Sequence, residues 1–253
     1  MDKQQVHYKD LGIIDYKSAW DYQEELVKAN VEIKTEARKN GQLATSSQQS
    51  ATGNQQPATL IEESPTTNHL LFCEHPPVYT LGKSGSMKNV LLSEQEMDEK
   101  EIEFFKTNRG GDITFHGLQQ IVGYPILDLE KFYTDIGKYL RDLEEVIILT
   151  ITDYGIKGER SKGETGVWIE PGIFGKERKI CAMGIRCSRW ITMHGFALNV
   201  NTDLSYFENI VPCGIQNKQV TSIQKELGHK VDIEEVKQKL KNNFSKIFNV
   251  QII

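Results

Sequence analysis

The sequence of 253 residues predicts a mixed α+β fold, in which mixed β-sheets are flanked by helices. Two patterns carry this prediction. Short runs rich in β-branched residues, broken by Gly, Pro or charged turns, indicate several strands. Between them lie segments whose apolar residues recur every three or four positions, as on a helix that packs along one face. The chain is long enough to bury a full core, and we expect one domain over residues 1–253.

The N-terminal part predicts one helix followed by a polar insertion. Asp15 can cap a helix whose apolar positions include Ala19, Tyr22 and Leu26. From about residue 34 to residue 68 the sequence turns polar, and SSQQSATGNQQPA at 46–58 has no period and little to bury. We therefore expect a flexible surface insertion at about 34–68.

The remaining elements follow from the same two patterns. HLLFC at 69–73 predicts a buried strand, and the Pro-Pro pair that follows places His75 on a loop. Helices are expected in SEQEMDEKEI, at 133–143, and after a capping Asp232. Further strands are expected in the runs QIVGYPILDL, VIILTITDYGI, GVWIE, RKICAMGIRCS and MHGFALNVN.

Composition excludes several classes of protein. A net charge of −5 and a pI near 5.8 argue against a general nucleic-acid binder, whose surface is usually basic. No apolar run approaches the roughly 20 residues that span a bilayer. Four cysteines are too few for a disulfide framework, and no secretory signal opens the chain, so we expect a cytoplasmic protein. The histidines lack a metal-ligand spacing, and GKSG lacks the first glycine of a phosphate loop, so we predict no metal and no cofactor.

The stretch NIVPCGI at 209–215 sets Cys213 between a proline and a glycine. A cysteine attacks as the thiolate, so it needs an activating partner, for which His116, His194 and Lys179 are the candidates. The N–H of Gly214 would supply an oxyanion donor. The alternative is an ordinary turn that holds a small residue, with Lys179 a solvated lysine at the start of a strand. The local pattern leaves both interpretations open.

The stretch RGGDITFHG at 109–117 is a candidate substrate loop. Its paired glycines permit close approach of a ligand, and Arg109 and His116 bracket the turn with polar groups. The alternative is a hairpin turn with an exposed arginine.

Five segments, in the same order and at similar spacing, together resemble the lipoyl(octanoyl) transferase family: HPPVYTLGKSG, RGGDITFHGLQQIVGYPILDL, TGVWI, KICAMGIRCSRWITMHGFALNVNTDLSYF and NIVPCGI. The resemblance implies the fold of the biotin and lipoate protein ligase catalytic domain. It implies an acyltransferase for the first step of protein lipoylation, which needs no cofactor and takes octanoyl from octanoyl-acyl carrier protein. The implied acceptors are lipoyl domains of 2-oxoacid dehydrogenases and the glycine cleavage H protein, with no role for nucleic acid or membrane.

The resemblance also implies roles for individual residues. Cys213 matches the nucleophile that carries the acyl group as a thioester, and Lys179 matches the lysine that lowers the pKa of that cysteine and moves protons. His75 and His194 match family positions without an assigned role. The family's substrate-binding segments fall on Arg109, Gly110, Gly111, Asp112, Ile113, Thr114, Phe115, His116, Ala182, Met183, Gly184, Gly195, Phe196 and Ala197.

The chain departs from the family pattern at HGLQQ, where HGPGQ is usual, so that Leu118 and Gln119 replace a Pro-Gly pair. Three other functions stay open: an ATP-dependent lipoate or biotin ligase, a cysteine hydrolase that pairs Cys213 with a histidine, and a non-catalytic lipoyl-domain binding module. Four basic residues are candidates for contact with acidic partner proteins, namely Lys176, Arg178, Arg186 and Arg189.

Overall fold

The computed structural model describes residues 3–48, 65–211 and 219–253, and it confirms the predicted α+β class. The strands are β1 (Gln4–Ile13), β2 (Asn68–Glu74), β3 (Val78–Leu81), β4 (Glu103–Lys106), β5 (Ile113–His116), β6 (Gln120–Ile126), β7 (Val167–Ile169), β8 (Arg178–Ser188), β9 (Ile191–Asn199), β10 (Gln219–Val220) and β11 (Val250–Ile252). The helices are α1 (Tyr16–Gln48), α2 (Glu94–Glu99), α3 (Ile136–Thr152), α4 (Ile223–Leu227) and α5 (Ile233–Phe248). Short 3-10 helices lie at Met87–Asn89, Leu129–Lys131 and Leu204–Asn209.

Within the described residues, eight strands form the larger sheet, in the order β10-β8-β9-β6-β2-β1-β11, with β7 paired to β8. Strands β8 and β9 are antiparallel with Gly184 opposite Gly195, and β9 pairs with β6 so that Ala197 lies opposite Val122. Because side chains alternate along a strand, Ala182, Ala197 and Val122 share one face of this sheet. A smaller sheet of order β4-β3-β5 stands beside it.

Helices cover both faces of the larger sheet. On one face, Ile121 and Leu198 pack with residues of α3 and α5 such as Ile147 and Phe244. On the other face, Ala19 of α1 belongs to a second cluster with β-strand residues such as Leu71, Val122 and Ala197. The smaller sheet has its own aromatic cluster, in which the Phe115 ring stacks on Tyr206 at a centroid distance of 4.5 Å. The strand residues nearest the sheet centre are therefore enclosed on both sides.

Several predicted elements are confirmed in place. Strand β2 covers the HLLFC run, β6 to β9 follow the predicted strands, and His75 lies on the loop after β2. The carboxylate of Asp15 accepts a hydrogen bond from the Ser18 N–H at 2.8 Å, and that of Asp232 accepts from the Glu234 N–H at 2.9 Å. Both predicted caps therefore stand at the starts of α1 and α5.

The prediction of a strand at VIILTITDYGI is wrong, because residues 146–151 belong to α3. Asp135 caps this helix by accepting a hydrogen bond from the Lys138 N–H at 2.9 Å. Its buried positions, Tyr139, Leu143, Val146, Ile147, Thr150 and Ile151, recur at helical spacing. Burial against the sheet and α5 outweighs the lower helix propensity of the β-branched run, which amounts to a few tenths of a kcal/mol per residue.

The first part of the predicted insertion is helical, whereas its remainder at 49–64 is not described. Helix α1 runs through to Gln48, and Lys34, the residue at which the insertion was expected to start, has only 3% of its surface exposed. Its ammonium lies 2.6 Å from the Asp128 carboxylate, and Asp128 also accepts a hydrogen bond from the Thr66 hydroxyl. Residues 34–48 thus belong to a helix, and Thr66 and Asn68 are buried, while 49–64 lie outside the described residues. Of the helices in the described part of the chain, none combines the length and apolar character needed to cross a membrane.

Candidate active site

A cavity of about 510 Å³ lies where β5, β6, β8, β9 and the loop before β5 converge. The three segments predicted to bind substrate all line it, with the exception of Phe115. The Phe115 side chain instead packs in the aromatic cluster of the smaller sheet. The wall is largely apolar around Val122, Ile185 and Phe196. Segments far apart in sequence thus meet in one cavity, and their part in binding substrate stays a prediction.

Gly184 lets the loop before β5 approach the edge of β8. The Gly110 N–H donates a hydrogen bond to the Ile185 carbonyl at 2.9 Å, which ties the loop to the strand. A Cβ atom on Gly184 would lie 2.6 Å from the Gly110 carbonyl oxygen, closer than real Cβ contacts. Any larger residue at position 184 would therefore push the loop away from the strand and change the cavity wall.

Arg109 is a buried residue that fastens this loop to β3. Only 7% of its surface is exposed, and its guanidinium donates to both the hydroxyl and the carbonyl of Thr80. It also donates to the Asp112 carbonyl at 2.8 Å and the Gly110 carbonyl at 2.9 Å. The alternative of an exposed arginine on a hairpin turn is therefore wrong.

His116 is neutral and held at both ring nitrogens. Its Nδ1 donates to the Gln120 Oε1 at 2.9 Å, because the Gln120 amide nitrogen itself donates to Phe115 and Asn199. Its Nε2 then accepts from the Thr80 hydroxyl at 3.3 Å. Burial, followed by the nearby His75 and Arg109 groups, lowers the pKa of His116 well below its usual range.

His194 and His75 are neutral for the same reason. The His194 Nε2 lies 2.7 Å from the Asn108 Oδ1, and burial together with Arg109 and Arg186 lowers the pKa of this imidazole to about 3. The His75 Nδ1 donates to the Ile14 carbonyl and its Nε2 accepts from the Tyr124 hydroxyl, and burial lowers its pKa to about 4. Of the three activators considered from the sequence, the two histidines thus carry no positive charge at neutral pH, and the role of Lys179 stays a prediction.

Lys179 stands at the start of β8, at the cavity wall. It pairs with Trp168 of β7 on one side and with Val220 of β10 on the other. Its ammonium lies 4.5 Å from the centroid of the Trp168 ring, a cation–π distance. The lysine is thus partly buried at the cavity rather than a solvated residue at a strand end.

Glu144 is a buried residue that the sequence analysis missed and that holds a loop of the cavity wall, residues 163–165. It is fully buried on α3, where its Oε1 accepts a hydrogen bond from the Gly166 N–H at 3.0 Å. Its Oε2 bonds to Arg141 and Arg160, although burial raises the pKa of this carboxyl overall. Gly166 has φ +112°, and a Cβ atom built on it would lie 3.7 Å from the Lys179 Cδ, so this residue lies beside the lysine side chain. The sequence analysis assigned the run VIILTITDYGI, which follows Glu144, to a strand. It therefore did not predict that Glu144 lies on the buried face of a helix.

Cys213 lies outside the described residues, and the chain on either side of it is anchored. The Val211 N–H donates to the Asn89 carbonyl at 2.8 Å. On the other side, Gln219 and Val220 pair with Arg178 and Lys179, and Val220 lines the cavity. The segment that holds Cys213 therefore leads directly into the strand beside Lys179.

Solved structures with the same architecture define the class of fold. A Thermoplasma acidophilum protein, described as a bi-partite lipoate protein ligase studied with its E2 lipoyl domain, superposes with a TM-score of 0.63 at 15% identity, over 100% of this chain and 86% of that one. Lipoate-protein ligase A bound with ATP superposes with a TM-score of 0.61 at 14% identity, over 100% and 90%. The fold is thus that of the lipoate ligase catalytic domain, as the sequence predicts.

Sequence comparison then gives the family. The model of the lipoyl protein ligase A/B catalytic domain matches residues 50–245, and this chain belongs to that family. It is 54% identical over 249 residues to the octanoyltransferase of Christiangramia forsetii, covering 98% of this chain and 97% of that one. The octanoyltransferase of Flavobacterium johnsoniae is 53% identical over 98% of each chain. The resemblance to octanoyltransferases is confirmed.

Proposed function

We propose that this protein is an octanoyltransferase that acts as a single catalytic domain. It moves octanoyl from octanoyl-acyl carrier protein to a lysine of lipoyl domains, including those of 2-oxoacid dehydrogenases and the glycine cleavage H protein. The observation that carries the proposal is the apolar cavity that has Lys179 at its wall and is lined by Arg109–Thr114, Ala182–Gly184 and Gly195–Ala197. Relatives named octanoyltransferase over nearly the full length support it.

In the first half-reaction, the thiolate of Cys213 attacks the carbonyl carbon of the octanoyl thioester. The bond from that carbon to the carrier's sulfur breaks, and the leaving thiolate takes up one proton, which Lys179 is placed to supply. One thioester replaces another, so this exchange is close to isoenergetic. The cavity favours the octanoyl chain by about 0.8 kcal/mol for each methylene that is buried.

In the second half-reaction, the ε-amine of the acceptor lysine attacks the enzyme thioester. A C–N bond forms, the C–S bond breaks, and the proton lost by the amine returns to Lys179 or to the sulfur of Cys213. The product is an amide, which is more stable than the thioester, so the transfer runs downhill without ATP. The lowered pKa values of His116 and His194 support Lys179 over these histidines as the proton carrier.

The test is an intact-mass experiment on wild type, Cys213→Ala and Lys179→Ala, each mixed with octanoyl-acyl carrier protein in the absence of ATP. Wild type is expected to gain one octanoyl group and pass it to a lipoyl domain. Cys213→Ala should gain none, and Lys179→Ala should gain it at least about 100-fold more slowly, in the usual range for general acid–base groups.

The same samples separate the alternatives. Modification of the lipoyl domain only when ATP and free octanoate are present would replace the proposal with a ligase. Free octanoate released without any acceptor would indicate a hydrolase. Binding of the lipoyl domain with no adduct under either condition would indicate a non-catalytic module.

A further inference from the structure

Residues 159–168 form a hairpin that contributes to the cavity wall. Its arms are joined by two backbone hydrogen bonds, from the Glu159 N–H to the Trp168 carbonyl at 2.8 Å and from the Trp168 N–H to the Glu159 carbonyl at 2.9 Å. At the tip, residues 163–165 line the cavity. We refer to residues 159–168 as the wall hairpin.

The wall hairpin lies beside Lys179 at two places. Trp168 pairs with Lys179 in the sheet, and the lysine ammonium lies 4.5 Å from the centroid of the Trp168 ring. Two residues earlier, a Cβ atom built on Gly166 would lie 3.7 Å from the Lys179 Cδ and 2.5 Å from the Cys181 carbonyl oxygen. The hairpin is therefore close to both the stem and the ammonium of the lysine, and a shift of the hairpin would move the surface against which that side chain lies.

One buried carboxylate holds both arms of the wall hairpin. The Oε1 of Glu144 accepts a hydrogen bond from the Gly166 N–H at 3.0 Å, and its Oε2 accepts from the Arg160 Nε at 3.1 Å. Arg160 also donates to the Arg141 carbonyl at 2.9 Å and to the Glu145 carboxylate at 2.7 Å. Glu144 therefore joins α3 to the arm before the tip and to the arm after it.

Glu144 is an unusual residue for its position. Among the described buried positions of α3, which also include Leu143, Val146 and Ile147, it is the one charged residue. Buried ion pairs are often replaced by apolar residues without loss of stability, because burying the charges removes them from water. Stability therefore gives no reason for a carboxylate here, whereas both of its oxygens accept hydrogen bonds from the wall hairpin. The arrangement indicates that the carboxylate serves to hold the hairpin.

We propose that Glu144 is a positioning residue for Lys179, which it keeps in place for proton transfer by holding both arms of the wall hairpin. This inference rests on the proposed transferase function. Glu144 is fully buried and is not one of the described residues that line the cavity, so it acts through the lysine and not on the substrate. A displacement of about 1 Å in a reacting group can slow catalysis about 100-fold.

Two arginines on the same carboxylate oxygen supply a matched pair of variants. Arg160 reaches the Oε2 of Glu144 from the wall hairpin at 3.1 Å, whereas Arg141 reaches it from α3 itself at 2.8 Å. Their side chains are 36% and 43% exposed, so both methionine variants are expected to fold. Arg160→Met releases one arm of the hairpin, and Arg141→Met removes a similar ion pair without releasing the hairpin.

The test measures octanoyl loading from octanoyl-acyl carrier protein, as a maximal rate and a half-saturating donor concentration. Glu144→Ala should lower the maximal rate about 10- to 100-fold and leave the half-saturating concentration unchanged. Arg160→Met, and Glu144→Gln, which keeps an acceptor for the Gly166 N–H, should lower the rate by less, about 3- to 10-fold. Arg141→Met should load at the wild-type rate.

The same substitutions are then made in Lys179→Ala. None of them should slow this variant further by more than about twofold, because the group that Glu144 positions is gone and the effects of coupled residues do not add. Equal slowing by Glu144→Ala with and without Lys179 would overturn the inference, since the carboxylate would then act on the fold or the cavity. A higher half-saturating concentration at an unchanged maximal rate would overturn it in favour of a role in donor binding.

Urea unfolding establishes that each variant is folded under the assay conditions. If Glu144→Ala does not fold, the comparison of Arg160→Met with Arg141→Met decides the question, and equal loading rates in these two variants would overturn the inference. A wild type that gains no octanoyl group, or a Lys179→Ala variant that loads at the wild-type rate, would instead overturn the proposed function.

Discussion

At the scale of single residues, the site is built from buried polar groups that hold one another in place. Thr80 illustrates this, because its hydroxyl receives hydrogen bonds from Arg109 and lies 3.3 Å from the Nε2 of His116. The sequence placed Arg109 and His116 in a candidate substrate loop, yet it gave no sign that Thr80 on β3 holds both. Such partners come from separate strands, so residue order alone does not reveal them.

Gln119 is one of the two residues at which the sequence analysis expects a departure from the family pattern, and the structure explains how a glutamine is tolerated there. Its φ of +62° is a conformation that favours glycine. Its N–H donates to the Glu74 carboxylate at 2.6 Å, and its side-chain oxygen accepts from the Asn201 amide at 2.8 Å. These bonds offset the backbone cost, and Leu118 beside it is 47% exposed.

Gln119→Gly should therefore leave stability and activity nearly unchanged. The glycine relieves about 1 kcal/mol of backbone strain and gives up one side-chain hydrogen bond of about the same size. Gln119→Val loses the bond and adds strain, because a β-branched residue disfavours this positive φ more than glutamine does, so it should destabilise the protein by about 2 kcal/mol. Urea unfolding and octanoyl loading measure the two effects. A loss of loading in Gln119→Gly would show that the glutamine side chain itself shapes the site.

At the scale of elements, α1 connects the face of the sheet to a buried ion pair. Lys34 and Asp128 are 3% and 1% exposed, and Lys34 also lies 2.8 Å from Glu130. The sequence predicted the start of this helix from its cap and apolar spacing. It did not predict the continuation past residue 34, because the partner that stabilises a polar residue there lies 94 positions away.

Removing one partner of this pair leaves a buried charge without compensation. Lys34→Met should lower the free energy of unfolding by about 3 to 5 kcal/mol. Lys28→Met is the matched control on the same helix, because the Lys28–Glu32 pair is 3.9 Å apart and exposed, and a change of less than about 1 kcal/mol is expected. Urea unfolding of both variants measures the difference. Equal losses would show that the buried pair has no special weight.

At the scale of the whole molecule, the sequence predicted the class of fold, strand β2, strands β6 to β9 and the segments that line the cavity, but it did not predict the other described strands. Motifs carry this information because they are contiguous: KICAMGIRCS and MHGFALN form the β8 and β9 pair directly. The sequence could not predict contacts between residues far apart in the chain. One example is the hydrogen bond by which Glu144 holds Gly166 beside Lys179. The strand assigned at VIILTI was wrong because a short apolar run is compatible with either a helix or a strand, and the sheet and α5 that bury it come from other parts of the chain.

Three buried histidines give the whole molecule a predictable response to acid. His75, His116 and His194 are 0%, 6% and 2% exposed, and burial lowers the pKa of each, to about 4 for His75 and about 3 for His194. In the unfolded chain the pKa of each histidine would be about 6.5. Between that value and the folded pKa, the unfolded state binds more protons, so the free energy of unfolding falls as the pH falls.

The expected size is about 1.4 kcal/mol per pH unit for each histidine, so acidification from about pH 6.5 to about pH 5 should cost several kcal/mol. Urea unfolding at a series of pH values measures this slope. His194→Asn should reduce this slope by the contribution of one histidine, about 1.4 kcal/mol per pH unit, because asparagine cannot take up the proton. Asparagine also tolerates the φ of +59° found at this position. Identical slopes in wild type and His194→Asn would show that His194 does not contribute to the acid response, and would remove the reason for treating it as neutral in the proposed mechanism.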